Sequence, residues 1–446
     1  MLRLHDGQGT LWEELLPAEA RALSTELATV DVLLDDERFL RPFAKRFACP
    51  IGRPTIPIET YLRLMYLKHR YGLGYETLVK EVADSLSWRR FCRIRLDAAV
   101  PHPTTLMKLT RRFGPAVVDE LNGALLQAAV ERRILRSRRL RIDTTVVEAD
   151  VRYPTDSGLC AHAISRLGRL VRRVRDSGLV VSARFRDRRR AAGKVIRNIS
   201  HSLGRAGGRA AVERLTGTVH RLAESSLSEA RLVLSTVREP IGGRPHPGRR
   251  WIEKLAEEVN HVERVVAQAA RRLGGERVIP DRIVSLADLD ARPIRRRRPQ
   301  QPTEFGYKVS VAGTPEGLVV SHQVYVGAPS DTDTLAAALA GAAATGMRIG
   351  TVFADRGYGN EIADEILAEH GVRDAVIPRV GKAAPREATR GWRRRYRFRA
   401  GCEGRISHLK RRHTLRRSRL KGHPGARIWV GYGVLAHKLD RMVALS

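Results

Sequence analysis

Acidic residues are in short supply in this 446-residue chain: 48 Asp and Glu stand against 81 Lys and Arg, a formal charge of +33 at neutral pH. A chain this basic repels itself unless it meets a polyanion, so nucleic acid is the leading partner and an anionic membrane surface the second. Long apolar runs are also missing. No stretch approaches the ~18 residues of a membrane span, and Met1 to Thr10 lacks the basic-then-apolar order of a signal peptide. Cysteine is scarce: Cys49, Cys92, Cys160 and Cys402 are far apart and form no Cys-x-x-Cys pair. That argues against a zinc finger or a disulfide scaffold and makes a reducing cytoplasm the expected compartment. Charge alone would also suit a ribosome-like structural protein, but 43% hydrophobic content is that of a globular enzyme rather than a basic tail.

The length allows two or three domains. Residues 1 to about 125 read as helices broken by polar turns. Apolar residues Ile58, Tyr61, Leu62, Met65 and Tyr66 recur at helical spacing, with Gly72 as a stop. Shorter helices follow over Tyr75 to Ala83 and through Trp88 and Phe91. After Pro101 to Pro103, Thr104 is expected to cap a basic helix through Lys108, Arg111 and Arg112. This order suggests a helix-turn-helix-like DNA-binding domain, its last helix in a major groove; a plain helical bundle fits the segment equally. Residues 157–280 read as a helical block with amphipathic stripes at Ile164, Leu167, Leu170, Val171 and Val174 and at Leu255, Val259, Val262, Val266 and Leu273. Bends are expected at Gly204 to Gly208 and Pro240 to Pro247.

Around this block, over 126–156 and 281–446, strand signals dominate. Arg139 to Val147 alternates. Phe305 to Val311 and Leu318 to Val326 flank the turn Thr314-Pro315-Glu316-Gly317. Then come a helix over Asp331 to Thr345, a short strand Ile349 to Ala354, a helix Asn360 to His370 and a strand Ala375 to Pro378. The fold class is therefore α/β: a mixed sheet flanked by helices, interrupted after its first strand by a helical insertion and preceded by an all-α domain. Ile428 to Leu445 is expected to be an amphipathic helix covering the core.

Two acids draw attention. Asp143 sits mid-strand among apolar neighbours, a costly place for a carboxylate without a partner. Asp355 closes a short apolar strand, where open α/β sheets place their ligands. A third lies in Tyr396 to Lys410, which reads as one helix. At about 100° per residue, Tyr396, Arg399, Glu403 and Lys410 share a stripe about 60° wide, beside an apolar stripe of Phe398, Cys402, Ile406 and Leu409. One carboxylate flanked by a phenol, a guanidinium and an ammonium suits a metal ligand beside a phosphate backbone. Two sheet aspartates and one helix glutamate can hold two divalent ions for phosphodiester chemistry, and all-oxygen ligation points to Mg2+ or Mn2+. Asp150, Asp156, Asp331 and Asp333 read as caps rather than ligands. His408 and His413 read as surface histidines facing DNA, and Arg295 to Arg298 as a solvated loop or a DNA grip.

The spacing Tyr396, Arg399, Glu403, Lys410 resembles the Tyr-Arg-Glu-Lys signature of bacterial DDE-type insertion-sequence transposases. Arg141-Ile142-Asp143-Thr144-Thr145 and Ala354-Asp355-Arg356-Gly357-Tyr358 resemble that family's first and second acid segments. Gly52-Arg53-Pro54 through Tyr61-Leu62-Arg63-Leu64 to Tyr75-Glu76 resembles its helical amino-terminal domain. The likeness covers nearly the whole chain apart from the helical block. It implies an RNase H-like catalytic domain, metals on Asp143, Asp355 and Glu403, and terminal DNA phosphates held by Tyr396, Arg399 and Lys410. It also implies double-stranded DNA as partner, at least a homodimer on DNA, and a bacterial cytoplasmic, nucleoid-associated location. One departure is evident: 212 positions separate the first two acids and only 48 the last two, whereas many relatives carry their insertion in the second interval. The expected activity is end cleavage and joining of 3′ hydroxyls to target DNA. The alternatives are a non-catalytic DNA-binding protein, such as a decayed transposase, and an RNase H-like nuclease.

Overall fold

The structure, a computed structural model, describes residues 1–5, 17–46, 52, 54–205, 207–238, 246–296 and 302–445. Arg53, Cys49, Arg297, Arg298 and residues 240–245 of the expected bend lie outside the described residues. The chain divides into two compact units, Met1–Asp150 with Arg296–Ser446, and Val151–Arg295.

The first unit is built on a mixed sheet. β1 (Arg139–Ala149) pairs antiparallel with β2 (Thr303–Gly313), and β2 antiparallel with β3 (Val319–Tyr325). On its other edge β1 runs parallel to β4 (Thr351–Phe353), which runs parallel to β5 (Asp374–Val376); the short β6 (Arg417–Ser418) pairs in parallel with the end of β1 at Glu148 and Ala149. The order is β3-β2-β1-β4-β5. The turn between β2 and β3 closes as its residues predict: Gly317 adopts φ +95° and its N–H donates to the Thr314 carbonyl at 3.0 Å. Both faces of β1 are buried from Thr145 to Val147, so its central residues lie between two covering layers rather than on a half-solvated sheet.

The expectation of a helical domain separate from the sheet is corrected by the packing. Helices Thr25–Leu34, Ile58–Arg70 and Pro103–Glu131 share one continuous core with β1, β2, β3 and the helix Gly422–Val443. That last helix does not cover the core. Its residues Ile428 to Leu439 are buried without interruption, and it packs against helices Pro103–Glu131 and Ile58–Arg70 as well as against β3. Glycine makes this possible. A Cβ on Gly431 would lie 2.6 Å from Val118, and one on Gly433 would collide with the His413 carbonyl. Helix Pro103–Glu131 starts one residue earlier than its expected cap: His102 accepts from the Thr104 N–H at 3.3 Å, and Pro103 takes the first helical position. The same helix kinks at Gly114, φ +70°.

Helix Ile58–Arg70 is buried almost all round, including the fully buried Arg63. Its guanidinium donates from Nε to Asp31 at 2.7 Å and from Nη2 to Asp35 at 2.7 Å, tying two helices together through charge.

The second unit is a helical cluster with its own core. Helices Asp156–Asp176, Arg189–Ser202, Gly208–Thr236 and Arg249–Leu273 bury Ile164, Leu167, Val171 and Val174 against Val219, Ala223, Val259, Val262 and Val266. Asp156 is not a cap: Thr155 caps the helix by accepting from the Gly158 N–H at 3.0 Å, while Asp156 pairs with Arg282 at 2.7 Å. Some of its arginines are structural, as in the 2.5 Å pair of Arg166 with the buried Glu258.

Neutralising both partners of Arg63 in Asp31→Asn/Asp35→Asn strands a buried guanidinium and should cost about 3–5 kcal/mol. Arg63→Met, which keeps apolar volume and removes the charge, should cost less. Urea unfolding of the two variants checks the order.

Candidate active site

Two of the three acids meet because of strand register. Arg141 on β1 is the partner of Phe353 on β4, so two residues further along each parallel chain stand Asp143 and Asp355. Asp143 is largely buried, accepts from the Thr144 N–H at 2.8 Å and receives Arg399 Nη1 at 3.3 Å. Asp355 caps the turn Arg356–Tyr358 by accepting from the Gly357 N–H at 2.8 Å.

The third acid comes from a helix laid on β1. Tyr396 to Lys410 is not one helix: Arg390–Tyr396 ends in a 3-10 turn, Arg397–Arg399, before helix Ala400–Arg412 begins. The tighter turn advances about 120° per residue, which eclipses Tyr396 and Arg399 and narrows the polar stripe to about 40°. Arg399 Cζ accordingly lies 5.8 Å from the Tyr396 ring centroid, and that ring stacks on Trp392 at 5.0 Å. The apolar stripe anchors the helix. Cys402 and Leu409 are buried, and Phe398 packs on Phe353 at 4.7 Å and under the Arg141 guanidinium at 3.6 Å. Gly401 leaves room there for the Arg141 guanidinium, which a Cβ would push aside.

Arg399 therefore sits between acids. One arm bonds Asp143, the other bonds Glu403, whose side chain is otherwise 61% exposed, and Asp355 adds to the field that holds the guanidinium charged. Among the described residues the three acids do not form a close trio of ligand oxygens; they are splayed around this cation. Lys410 lies two turns beyond Glu403 on the rim of a cleft of about 850 Å3. Arg70, Arg411, Arg412, Arg416, Arg417 and Arg419 also line it, against the single acid Glu26.

A fourth carboxylate was missed by the sequence reading. Asp331, expected to be a cap, makes no side-chain cap bond. Instead it accepts from Lys308 Nζ at 2.8 Å and Thr144 Oγ1 at 2.9 Å. A Cβ on Gly357 would strike Asp331 and lie 3.0 Å from Asp355, so these two acids flank the same glycine. Asp333 does behave as a turn residue, accepting from the Ser330 N–H at 2.8 Å. Asp150 is an exposed partner of Arg417. His413 is corrected as well: it is fully buried, not a surface residue. Lys108, Arg111 and Arg112 lie on the exposed face of their helix, opposite the buried Leu106, Leu109, Thr110 and Phe113.

Crowded carboxylates shift one another. Burial pushes the Asp143 carboxyl up to about 6, reinforced by the charges of Asp355 and Asp331 and opposed by the Thr144 N–H and Arg399. Burial also raises Asp355, with Asp331 adding to it. Their hard carboxylate oxygens have the donor chemistry a divalent cation takes, but here Arg399 holds Asp143 and Glu403 apart, and Lys308 pairs with Asp331.

Among known proteins, residues 12–112 match the family described as Transposase domain (DUF772), and residues 285–439 match that described as Transposase DDE domain. The chain is 31% identical over 128 residues to an uncharacterised protein, ORF8 in the nfe locus of Rhizobium meliloti; the match spans 28% of this chain and 62% of that relative. No solved structure matches the chain.

The raised Asp143 carboxyl has a consequence for stability. Its ordinary value is about 3.9, so the folded state binds the proton more tightly than the unfolded chain does. Its stabilising contribution is complete below about pH 4 and is lost as pH rises through about 6. Asp143→Asn should therefore raise the stability of the metal-free protein at neutral pH, by about 1–3 kcal/mol, and flatten its pH dependence between pH 4 and 6. Urea unfolding across that range tests this; a variant no more stable than wild type would mean that Arg399 compensates the burial in full.

Proposed function

The chain belongs to the DDE-type insertion-sequence transposases, and from that premise we propose that it cuts the ends of its element and joins the freed 3′ hydroxyls to target DNA. The observation that carries the reading is the Arg399 guanidinium bonded to both Asp143 and Glu403, with Asp355 on the neighbouring strand. The strand order around these acids supports an RNase H-like catalytic domain.

Asp143, Asp355 and Glu403 would hold Mg2+ or Mn2+, the hard divalent ions that an all-carboxylate oxygen set suits. When bound, two such ions supply Lewis acidity on either side of a phosphodiester. For the acids to serve them, Arg399 must release Asp143 and Glu403, and the nearest anion for its freed fork is a DNA phosphate. Tyr396, eclipsed with Arg399, offers a ring and a hydroxyl to the same DNA end. Lys410 and the cleft beyond it extend the positive surface along the backbone. Lys108, Arg111 and Arg112 project from a rigid helix, as groove or backbone contacts would need. Pairing two DNA ends implies at least a homodimer on DNA. No described helix is long and apolar enough to cross a membrane.

With DNA carrying the element ends, Asp143→Asn, Asp355→Asn and Glu403→Gln should each abolish the divalent-metal-dependent cut and the strand transfer while end binding persists. Cleavage that survives in all three variants would overturn the assignment of the acids. Binding without any product in Mg2+ or Mn2+ would identify a non-catalytic DNA-binding protein, and cutting without joined DNA a nuclease. In a separate measurement, Lys108→Ala/Arg111→Ala/Arg112→Ala should reduce the slope of log affinity against log salt by up to about 3 if each side chain neutralises one phosphate.

A further inference from the structure

Away from the acids, three histidines converge beneath the end of the Glu403 helix. His408 lies in the last turns of helix Ala400–Arg412, His413 is that helix's C-cap, and His437 projects from the buried helix Gly422–Val443. Their ring centroids form a near-equilateral triangle with sides of 5.1, 5.1 and 5.4 Å. One ring nitrogen from each lies within 4.8 Å of the other two.

The buried members are short of partners. Neither ring nitrogen of the fully buried His413 makes a hydrogen bond, and His437 Nδ1 makes none. A buried imidazole must present one N–H and one lone pair, and leaving both unmet is unfavourable. On His437 the roles can be assigned. Nε2 lies 3.1 Å from the Gly317 carbonyl, which can only accept, and 3.5 Å from Arg405 Nη1, which can only donate; the shorter carbonyl contact favours the proton on Nε2, with the lone pair on Nδ1. A proton donated to a backbone carbonyl is the usual second support of a metal-bound histidine. His413 Nε2 stands 3.7 Å from Asp440 Oδ2, a carboxylate anchored by Arg70 at 2.6 Å and Tyr66 at 2.9 Å. The cation Arg405 is 3.5 Å from His437 Nε2, and Arg70, Arg412 and Arg441 lie near enough to disfavour imidazolium. Burial acts in the same direction on His413 and His437. Neutral imidazoles are the form that binds metal.

We propose that His408, His413 and His437 form a structural site for a borderline divalent transition metal, Zn2+ first, which ties the carboxyl end of the Glu403 helix to the buried C-terminal helix. Tetrahedral ligation at about 2.0–2.1 Å needs the three rings to close inward by roughly 1 Å each. Three imidazoles without a thiolate or a direct carboxylate favour Zn2+, Co2+ or Cu2+ over the hard ions expected at the acids. The site is independent of the proposed DNA chemistry.

The test uses the full-length chain, stripped with EDTA and titrated with Zn2+ against a chromophoric chelator, and with Co2+ followed by its visible d–d absorption. One tight equivalent is expected, with a tetrahedral Co2+ spectrum. It should persist in Asp143→Asn, which separates it from the acids, and weaken at least about 100-fold in His408→Ala. His408 is exposed, so that variant should keep its fold, as circular dichroism can verify; Zn2+ should raise the melting temperature of wild type and not of His408→Ala. Absence of a tight equivalent in wild type, or an affinity unchanged in His408→Ala, overturns the proposal and leaves a water as the occupant of the triangle.

Discussion

The Arg399 guanidinium is the pivot of the first unit. Asp143 and Asp355 are brought side by side by parallel strands, Asp331 stands beside Asp355, and Glu403 arrives from a helix above. Gathered carboxylates repel, and burial, with the charges of Asp355 and Asp331, holds Asp143 at about 6 against the pull of the Thr144 N–H and Arg399. Without a cation between them the helix carrying Glu403 would have no polar reason to lie where it does. Arg399 and Lys308 provide that charge from within the chain. The arrangement is thus held together by an interaction that its proposed chemistry must break, which is how strain at a functional site is commonly stored.

Around that pivot the architecture is unusually interior. Helix Gly422–Val443 runs through the protein rather than over it, with the sheet on one side and the amino-terminal helices on the other. Small residues permit the approach, and buried charge fixes the orientation: Arg63 on Asp31 and Asp35, and Asp440 between Arg70 and Tyr66. Such pairs contribute less to net stability than to a single arrangement of the helices, since any other register strands a charge. The same buried helix carries His437, so the core that joins the amino-terminal helices to the sheet also reaches the far end of the Glu403 helix.

Much of this was legible in residue order. The alternation of β1, the turn at Thr314 to Gly317, and the strand and helix succession from β4 to β5 follow from local pattern, and appear within a few residues of where it puts them. The apolar stripe of Cys402 and Leu409 likewise identified the face on which that helix packs. The Tyr396 to Lys410 segment was legible in direction but not in detail, because a single 3-10 turn is invisible to a helical wheel. Asp331 was misread for a different reason. Its position before a helix is cap-like, and only the arrival of Lys308 and Thr144 from two other strands gives its side chain better partners than its own backbone. His413 and the last helix were misread because burial depends on what the rest of the chain places around them.

What the sequence by itself determined is chemistry and local form: a basic chain, a small set of acids in strand-end and helix positions, and the periods that make strands and helices. Tertiary structure decided which acids meet, that a cationic side chain stands between them, that one glycine-bearing helix is central, and that three histidines from two helices face one another. The physical reason is range. Periodicity and capping act over a few residues, whereas partners for a buried charge are chosen across the sheet and between helices, where only the packed fold brings them within bonding distance.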